Sequence, residues 1–252
     1  MISIFDIKRQ FIIPSIDDIS NRYEFDPRYW IDRGDYLLNR NPQESNEWHR
    51  NRKFRLIASN FGAAMGKSNF CSPLDIAVDI TNLNDFGKSQ SDRSKFMTQH
   101  GVVTEPKARD WYCRTRNSEV DEIGLAVPKW EPRIGASLDG DIKNSDGMIE
   151  IKSPFDMYEP LRNHMSKITT GWRPPPLYHD HIWDSHYAQM QGSMKIVGKQ
   201  WCDYIVYATQ SNLSYVERIP FNQKYWDETL WPGIQNFLNN IMEPLIFQQQ
   251  NT

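Results

Sequence analysis

The chain has 252 residues, 39% hydrophobic and 13% aromatic, which suits one large α/β domain and excludes a disordered chain. A net charge of −3 excludes a generic polyanion binder, so any contact with nucleic acid must come from a local basic patch. Three scattered cysteines (Cys71, Cys113, Cys202) with no CxxC pair point to a reducing compartment. No apolar run approaches the roughly 18 residues of a membrane span. Asp6 and Lys8 interrupt the opening apolar stretch MISIFDIKRQ, against a signal peptide. These features predict a soluble, cytoplasmic protein.

Residues 1–40 show no clean period and read as an N-terminal arm or extension. Residues 41–252 read as a single domain. NPQESNEWHRNRKFR (41–55) predicts a helix with Pro42 near its start. Ser59 stands where an N-cap belongs, ahead of NFGAAMG, and Ser72 caps a further helix with Pro73 in its first position. Residues 91–116 predict two helical stretches meeting near Gly101 and Pro106. EVDEIGLAV (119–127), RIGASLD and MIEIKSP predict strands, the last two joined by the turn GDIKNSDG. An inserted loop is expected at about 155–183, carrying Pro174-Pro175-Pro176. Asp184 or Ser185 is placed to cap a helix over HYAQMQGSMKIVG. WCDYIVYA (201–208) and YVERI (215–219) predict strands, and an amphipathic helix is expected from Asp227 to Ile246. This order predicts an α/β fold, a central mixed β-sheet flanked by helices.

The candidate chemistry lies in IGASLDGDIKNSDGMIEIKSP (134–154). On a strand, Glu150 and Lys152 project from one face while Ile149 and Ile151 turn into packing. The hairpin sets Asp139 across from them. Two carboxylates this close repel each other and are costly to desolvate, and a divalent cation removes that cost. Hard oxygen ligands suit Mg2+ or Mn2+, with the Ile151 carbonyl completing the set. Lys152 is then placed to orient or deprotonate a metal-bound water, or to steady charge developing on a phosphate. The same residues on an exposed strand make only a salt bridge, and spacing alone does not separate the two readings.

Five blocks follow one another: EWHRNRKFRLIASNFGAAMG, GVVTEPKARDWY, IGASLDG, IEIKSPF and YAQMQGSMKIVG. With Asp139 and Glu150-Ile151-Lys152 as a D…ExK core, this order resembles the lambda exonuclease (YqaJ-like viral recombinase) family of PD-(D/E)xK nucleases, from about Trp48 to Tyr207. The resemblance implies a restriction-endonuclease-like core and a metal-dependent deoxyribonuclease. The implied enzyme is a 5′-to-3′ exonuclease on linear double-stranded DNA. It leaves 3′ overhangs for a single-strand annealing protein in recombination of a phage- or virus-encoded type. The resemblance also implies roles. Asp139, Glu150 and the Ile151 carbonyl are the metal ligands, and Lys152 is the catalytic lysine. Glu105 is the helix-borne acid supporting a second metal position, so two Mg2+ ions are expected, with Mn2+ able to substitute. Gln189 sits beside the reacting phosphate.

Arg52 and Ser59 match the residues that receive the 5′-phosphate of the DNA end. Ser59 at a helix start offers a hydroxyl and free backbone N–H groups, and Arg52 supplies a fork of donors. Without the resemblance they read as an ordinary cap and one member of a solvated basic run. The family's founding member is a ring-shaped trimer, so a homo-trimer is the implied assembly. Leu138 replaces the Pro that often precedes the Asp. The 155–183 segment, long and proline-bearing, lies between the lysine and the glutamine helix, and the first forty residues find no match.

Other groups have plainer readings. His164, His179, His181 and His186 fall in or near the inserted segment. Their spacing fits no recognised finger and no cysteine partners them, so a zinc site is disfavoured. Trp172, Tyr178 and Trp183 suit packing or base stacking. Cys113 and Cys202 read as core cysteines. Lys107, Arg109, Arg114 and Arg116 form a DNA-backbone face or the wet side of a helix. Two rival functions remain open at this level: an endonuclease on the same core, degrading host DNA or RNA or cutting branched DNA, and a non-catalytic DNA-end-binding module.

Overall fold

A computed structural model describes residues 22–23, 25–68, 70–81, 92–175 and 178–250. Its strands are β1 (Trp30–Asp32), β2 (Tyr36–Asn39), β3 (Leu56–Ile57), β4 (Val120–Pro128), β5 (Ile134–Ile142), β6 (Gly147–Lys152), β7 (Trp201–Ala208) and β8 (Leu213–Pro220). They form one sheet in the order β1-β2-β4-β5-β6-β7-β8, with β3 paired to the start of β5. The β6–β7 and β3–β5 pairs are parallel, and the other neighbours run antiparallel. The helices are α1 (Asn46–Asn51), α2 (Phe61–Ala64), α3 (Pro73–Thr81), α4 (Asp92–Arg116), α5 (Glu159–Thr169) and α6 (Asp184–Val197). A last helix, α7 (223–250), includes two π-helical turns, Trp226–Leu230 and Leu238–Met242.

Strand β6 is covered on both faces and buried along nearly its whole length, so its two charged residues, Glu150 and Lys152, are set into packing. Ile149 and Ile151 pack with Ile205 against Ala108 and Tyr112 of α4. Met148 points the other way, into the main core with Leu138, Tyr204 and the Ala188, Met190 and Met194 side chains of α6. Period-two alternation therefore turns Glu150 and Lys152 toward α6. The expected placement of Ile149 and Ile151 in packing is observed.

Several local expectations are corrected. The first helix is α1 alone, capped by Ser45, whose side chain accepts the Trp48 N–H at 3.2 Å; Pro42 lies outside it. Ser59 caps nothing. It sits exposed within a 3-10 turn, Ala58–Asn60, that runs straight into α2. Helix α4 passes unbroken through Gly101 and Pro106. Proline removes one N–H donor, and the carbonyl four residues back belongs to Val102, on the exposed side of the helix. Strand β5 continues through Gly140-Asp141-Ile142, so the turn to β6 is only 143–146, with Asn144 at a positive φ of 55°.

The 155–183 segment contains α5, which has Pro160 in its first turn. Leu161 and His164 are buried on its inner face. Helix α6 starts at Asp184 with Trp183 at the cap position, and neither Asp184 nor Ser185 caps it. Part of the N-terminal segment read as an arm forms the β1–β2 hairpin, which extends the sheet beyond β4 and buries Trp30 beside Trp48. Residues 1–21 lie outside the described residues.

Candidate active site

The register of β5 on β6 pairs Asp141 with Met148 and Gly140 with Ile149, so the next step sets Asp139 opposite Glu150. The ladder stops there. Asp139 Oδ2 instead accepts the Ile151 N–H at 2.6 Å, so a carboxylate takes the place of a strand carbonyl. The N–H and C=O of a strand residue share an edge, so the Ile151 carbonyl lies on the Asp139 side of β6.

On the other edge of β5, the register with β4 shifts on both sides of the Ile123–Leu138 pair. Bulges of this kind re-aim side chains. Here the irregularity lies directly beside Asp139. The Gln43 side-chain amide fills it, donating to the Ile123 carbonyl at 2.8 Å and the Leu138 carbonyl at 3.0 Å. Gly140 is required at the same place, since a Cβ there would lie 2.1 Å from Val120 Cγ1 and 2.9 Å from Ile149 Cγ1.

Glu150 is 1% exposed. Its Oε1 accepts from Lys152 Nζ at 2.8 Å and from Gln189 Nε2 at 2.6 Å. Lys152 Nζ also donates to Gln189 Oε1 at 2.9 Å, which closes a three-membered ring of polar groups between β6 and α6. Glu150 Oε2 is buried without a hydrogen-bond partner. Burial raises the Glu150 pKa, against the opposing pull of Lys152. Burial and the Glu150 charge push Asp139 up to about 7. For Lys152, burial lowers the pKa, but Glu150 and Asp139 outweigh it and keep the ammonium charged.

Glu105 reaches this group from α4. Burial, then the Asp139 charge, pushes it up to about 7, while Arg109 opposes the rise. Arg109 lies one turn on, donating to Glu105 Oε1 at 2.6 Å and to Glu122 Oε2 at 2.8 Å. Of the basic residues on α4, Arg109 is thus engaged, while Lys107, Arg114 and Arg116 are exposed.

The donor set fits a hard divalent cation. It offers two carboxylates that burial and mutual repulsion disfavour as bare anions, an orphaned buried Glu150 oxygen and a backbone carbonyl on the same edge. Asp139, Glu150 and Ile151 could hold such an ion, and Glu105 a neighbouring one.

The structure brings Glu105, Asp139, Glu150, Lys152 and Gln189 together. Arg52 and Ser59 stand outside that group. Arg52 follows α1, its guanidinium 3.9 Å from the Trp48 ring centroid, and burial lowers its pKa to about 10. Trp48 in turn donates to Ser137, two residues ahead of Asp139, at 3.1 Å. Ser59 leaves β3 in the direction that β5 takes toward Asp139, because the two strands are parallel.

A model of the YqaJ-like viral recombinase domain matches residues 47–200, more than half of the chain. The chain belongs to this family. The YqaJ match runs from α1 to the end of α6 and contains Glu105, Asp139, Glu150, Lys152 and Gln189, while Gln43 lies just ahead of it. Solved structures share the fold. An alkaline exonuclease (LHK-Exo) from Laribacter hongkongensis is 24% identical, with a TM-score of 0.61 over 82% of this chain and 97% of that one. The same protein in complex with dAMP gives a TM-score of 0.55 at 24% identity, covering 82% of this chain and 94% of that one. A phage-related exonuclease from Haemophilus somnus 129PT gives 0.52 at 11% identity, covering 78% and 96%. No curated protein sequence matches the chain.

Two residues set this YqaJ site in ways the sequence reading did not give. Arg109, read there as a DNA-backbone or solvent-facing cation, pairs instead with Glu105, an i,i+4 ion pair that the spacing on one helix face could have shown. Gln43 was not open to detection, because its partners are carbonyls exposed by an irregular strand pairing.

Proposed function

We propose that the protein is a divalent-metal-dependent exonuclease that degrades the 5′-ended strand of linear duplex DNA and leaves a 3′ overhang. The observation that carries this reading is the buried Glu150, one oxygen tied to Lys152 and Gln189 and the other unpartnered, opposite Asp139. Family membership and the exonuclease names of the solved relatives support it. Asp139, Glu150 and the Ile151 carbonyl hold Mg2+, with Mn2+ able to substitute, and Glu105 supports a second ion.

A bound divalent ion supplies a Lewis acid for the phosphoryl oxygens and makes its water acidic enough to ionise near neutrality. Lys152 orients the attacking water and offsets charge growing on the phosphate. Gln189 fixes the Lys152 ammonium and the Glu150 carboxylate in one geometry. Arg109 holds Glu105 in place. Arg52, prepaid in desolvation and braced on Trp48, receives the terminal 5′-phosphate, with Ser59 as a second donor. The overhang is a substrate for a single-strand annealing protein, the partner this reading implies.

The test compares 5′-phosphorylated linear duplex with closed circular DNA of the same sequence. Each is incubated with Mg2+, with EDTA, and with Glu150→Gln protein. Loss of the linear form alone, stopped by EDTA and by the substitution, is the expected outcome. Lys152→Ala should lower the rate at least ~100-fold. Cutting of the circle would replace this reading with an endonuclease, and metal-independent activity would end it.

A further inference from the structure

A second cluster lies on the α6 face of the sheet, away from the carboxylates. His164 of α5 and His181 of the following segment are 3% and 2% exposed, yet their rings offer three nitrogens with no hydrogen-bond partner: Nδ1 and Nε2 of His164 and Nδ1 of His181. His179, half-buried beside them, has both ring nitrogens unpartnered as well. Glu217 of β8 faces this group. It contacts His181 Nε2 and accepts the Tyr215 hydroxyl at 2.7 Å. One ligand atom from each of His164, His181 and Glu217 lies within 4.8 Å of the other two.

Buried imidazole nitrogens are hydrogen-bonded, or they bind something. Three unpartnered ring nitrogens on two buried histidines beside one carboxylate are too many for packing alone, and the aromatic walls (Trp172, Tyr178 and Tyr215) supply no acceptor to the His164 ring. We infer that His164, His181 and Glu217 form a structural zinc site, three protein ligands that leave a fourth position to water. Imidazole nitrogen with a single carboxylate is the donor set of Zn2+ rather than of Mg2+. The Tyr215 hydroxyl on Glu217 is the kind of outer hydrogen bond that orients a ligating carboxylate.

Binding requires one rearrangement. The His164 and His181 rings lie nearly parallel, 11° apart with centroids 3.5 Å apart, and a metal sits in the plane of each ring it binds. His164 must therefore turn out of the stack toward Glu217. The site is separate from the proposed nuclease centre. Register places Glu217 beside Tyr204 and Tyr204 beside Glu150, so two strand spacings, about 10 Å, lie between them. Its effect is to fasten α5 and the segment after it to β8, at the base of the helix that carries Gln189.

The test uses the full chain carrying Asp139→Asn and Glu150→Gln, so that zinc has no carboxylate centre to occupy. The protein is stripped with EDTA, and Zn2+ is titrated against a chromophoric chelator. One zinc per chain is expected, with a rise in Tm and, on Co2+ substitution, the visible absorption of tetrahedral coordination. Adding His164→Gln should weaken binding at least about tenfold. Glu217→Gln serves as the second variant if the first fails to fold. No stoichiometric zinc in the parent protein, or equal affinity in the folded ligand variants, would overturn the inference.

Discussion

At Asp139 and Glu105, burial and neighbouring carboxylates push both groups up to about 7 in the metal-free fold, whereas an unfolded chain titrates them near about 4. Between those values the folded state binds more protons than the unfolded one, so stability falls as pH rises through the window. Thermal melts of EDTA-treated protein should show Tm dropping from about pH 5 to about pH 8. Asp139→Asn should flatten that drop and melt several degrees above wild type at the alkaline end, since each kcal/mol is worth roughly 2–4 °C in a chain of this size. Saturating Mg2+ should reverse the order by stabilising wild type alone. Equal slopes for the two proteins would remove the electrostatic account. At Arg52 the argument concerns substrate. A half-buried guanidinium stacked on Trp48 is costly until an anion meets it. Arg52→Ala should raise KM for 5′-phosphorylated ends about tenfold or more and leave 5′-hydroxyl ends nearly unchanged. An equal loss on both substrates would assign Arg52 to packing.

Between elements, the irregular β4–β5 pairing is held by Gln43. Gln43→Leu leaves two carbonyls without their donor, so a loss of about 1–3 kcal/mol is expected in denaturant unfolding. Because Leu138 precedes Asp139, kcat should fall more than KM rises. A stability loss with unchanged kcat would make Gln43 purely structural. The approach of α2 to α6 is similarly constrained: a Cβ on Gly62 would lie 2.6 Å from Ser185 Cα, so Gly62→Ala must push back the start of the helix that carries Gln189. The expected cost is about 1–3 kcal/mol, read as a lower Tm. These contacts mark the limit of what the sequence discloses. Alternation around Glu150 and Lys152, and the capping box of Ser72 with Asp75, are local patterns, and both appear in the fold. Helix α5 was hidden because His164, a polar residue, stands on its buried face and breaks the apolar stripe. Ser59 looked like a cap because capping residues and turn residues are chemically alike. The convergence of Glu105 and Gln189 on β6 was legible only through the order of the family blocks.

For the whole molecule, a net charge of −3 means that the proposed DNA substrate would have to be held by a few placed cations and not by a broad field. Binding to linear duplex should therefore weaken with salt by about 0.9 log units per log unit for each phosphate contacted, a shallow slope if Arg52 and three or four surface cations carry it. A slope as steep as about −8 would require a basic surface outside this account. The parallel β6–β7 pair has a different consequence. Strand β6 shares two bridging pairs with β5 but six with β7, which returns only after α5 and α6 have been made. A parallel neighbour cannot be reached by a tight hairpin, and closing so long a connection is slow. Glu150 and Lys152 are thus synthesised well before the strand that fixes them and the helix that brings Gln189. If the proposed centre is the active one, it cannot assemble on the nascent chain until Ala208 has been made, and on refolding activity should return with the phase that pairs β6 with β7.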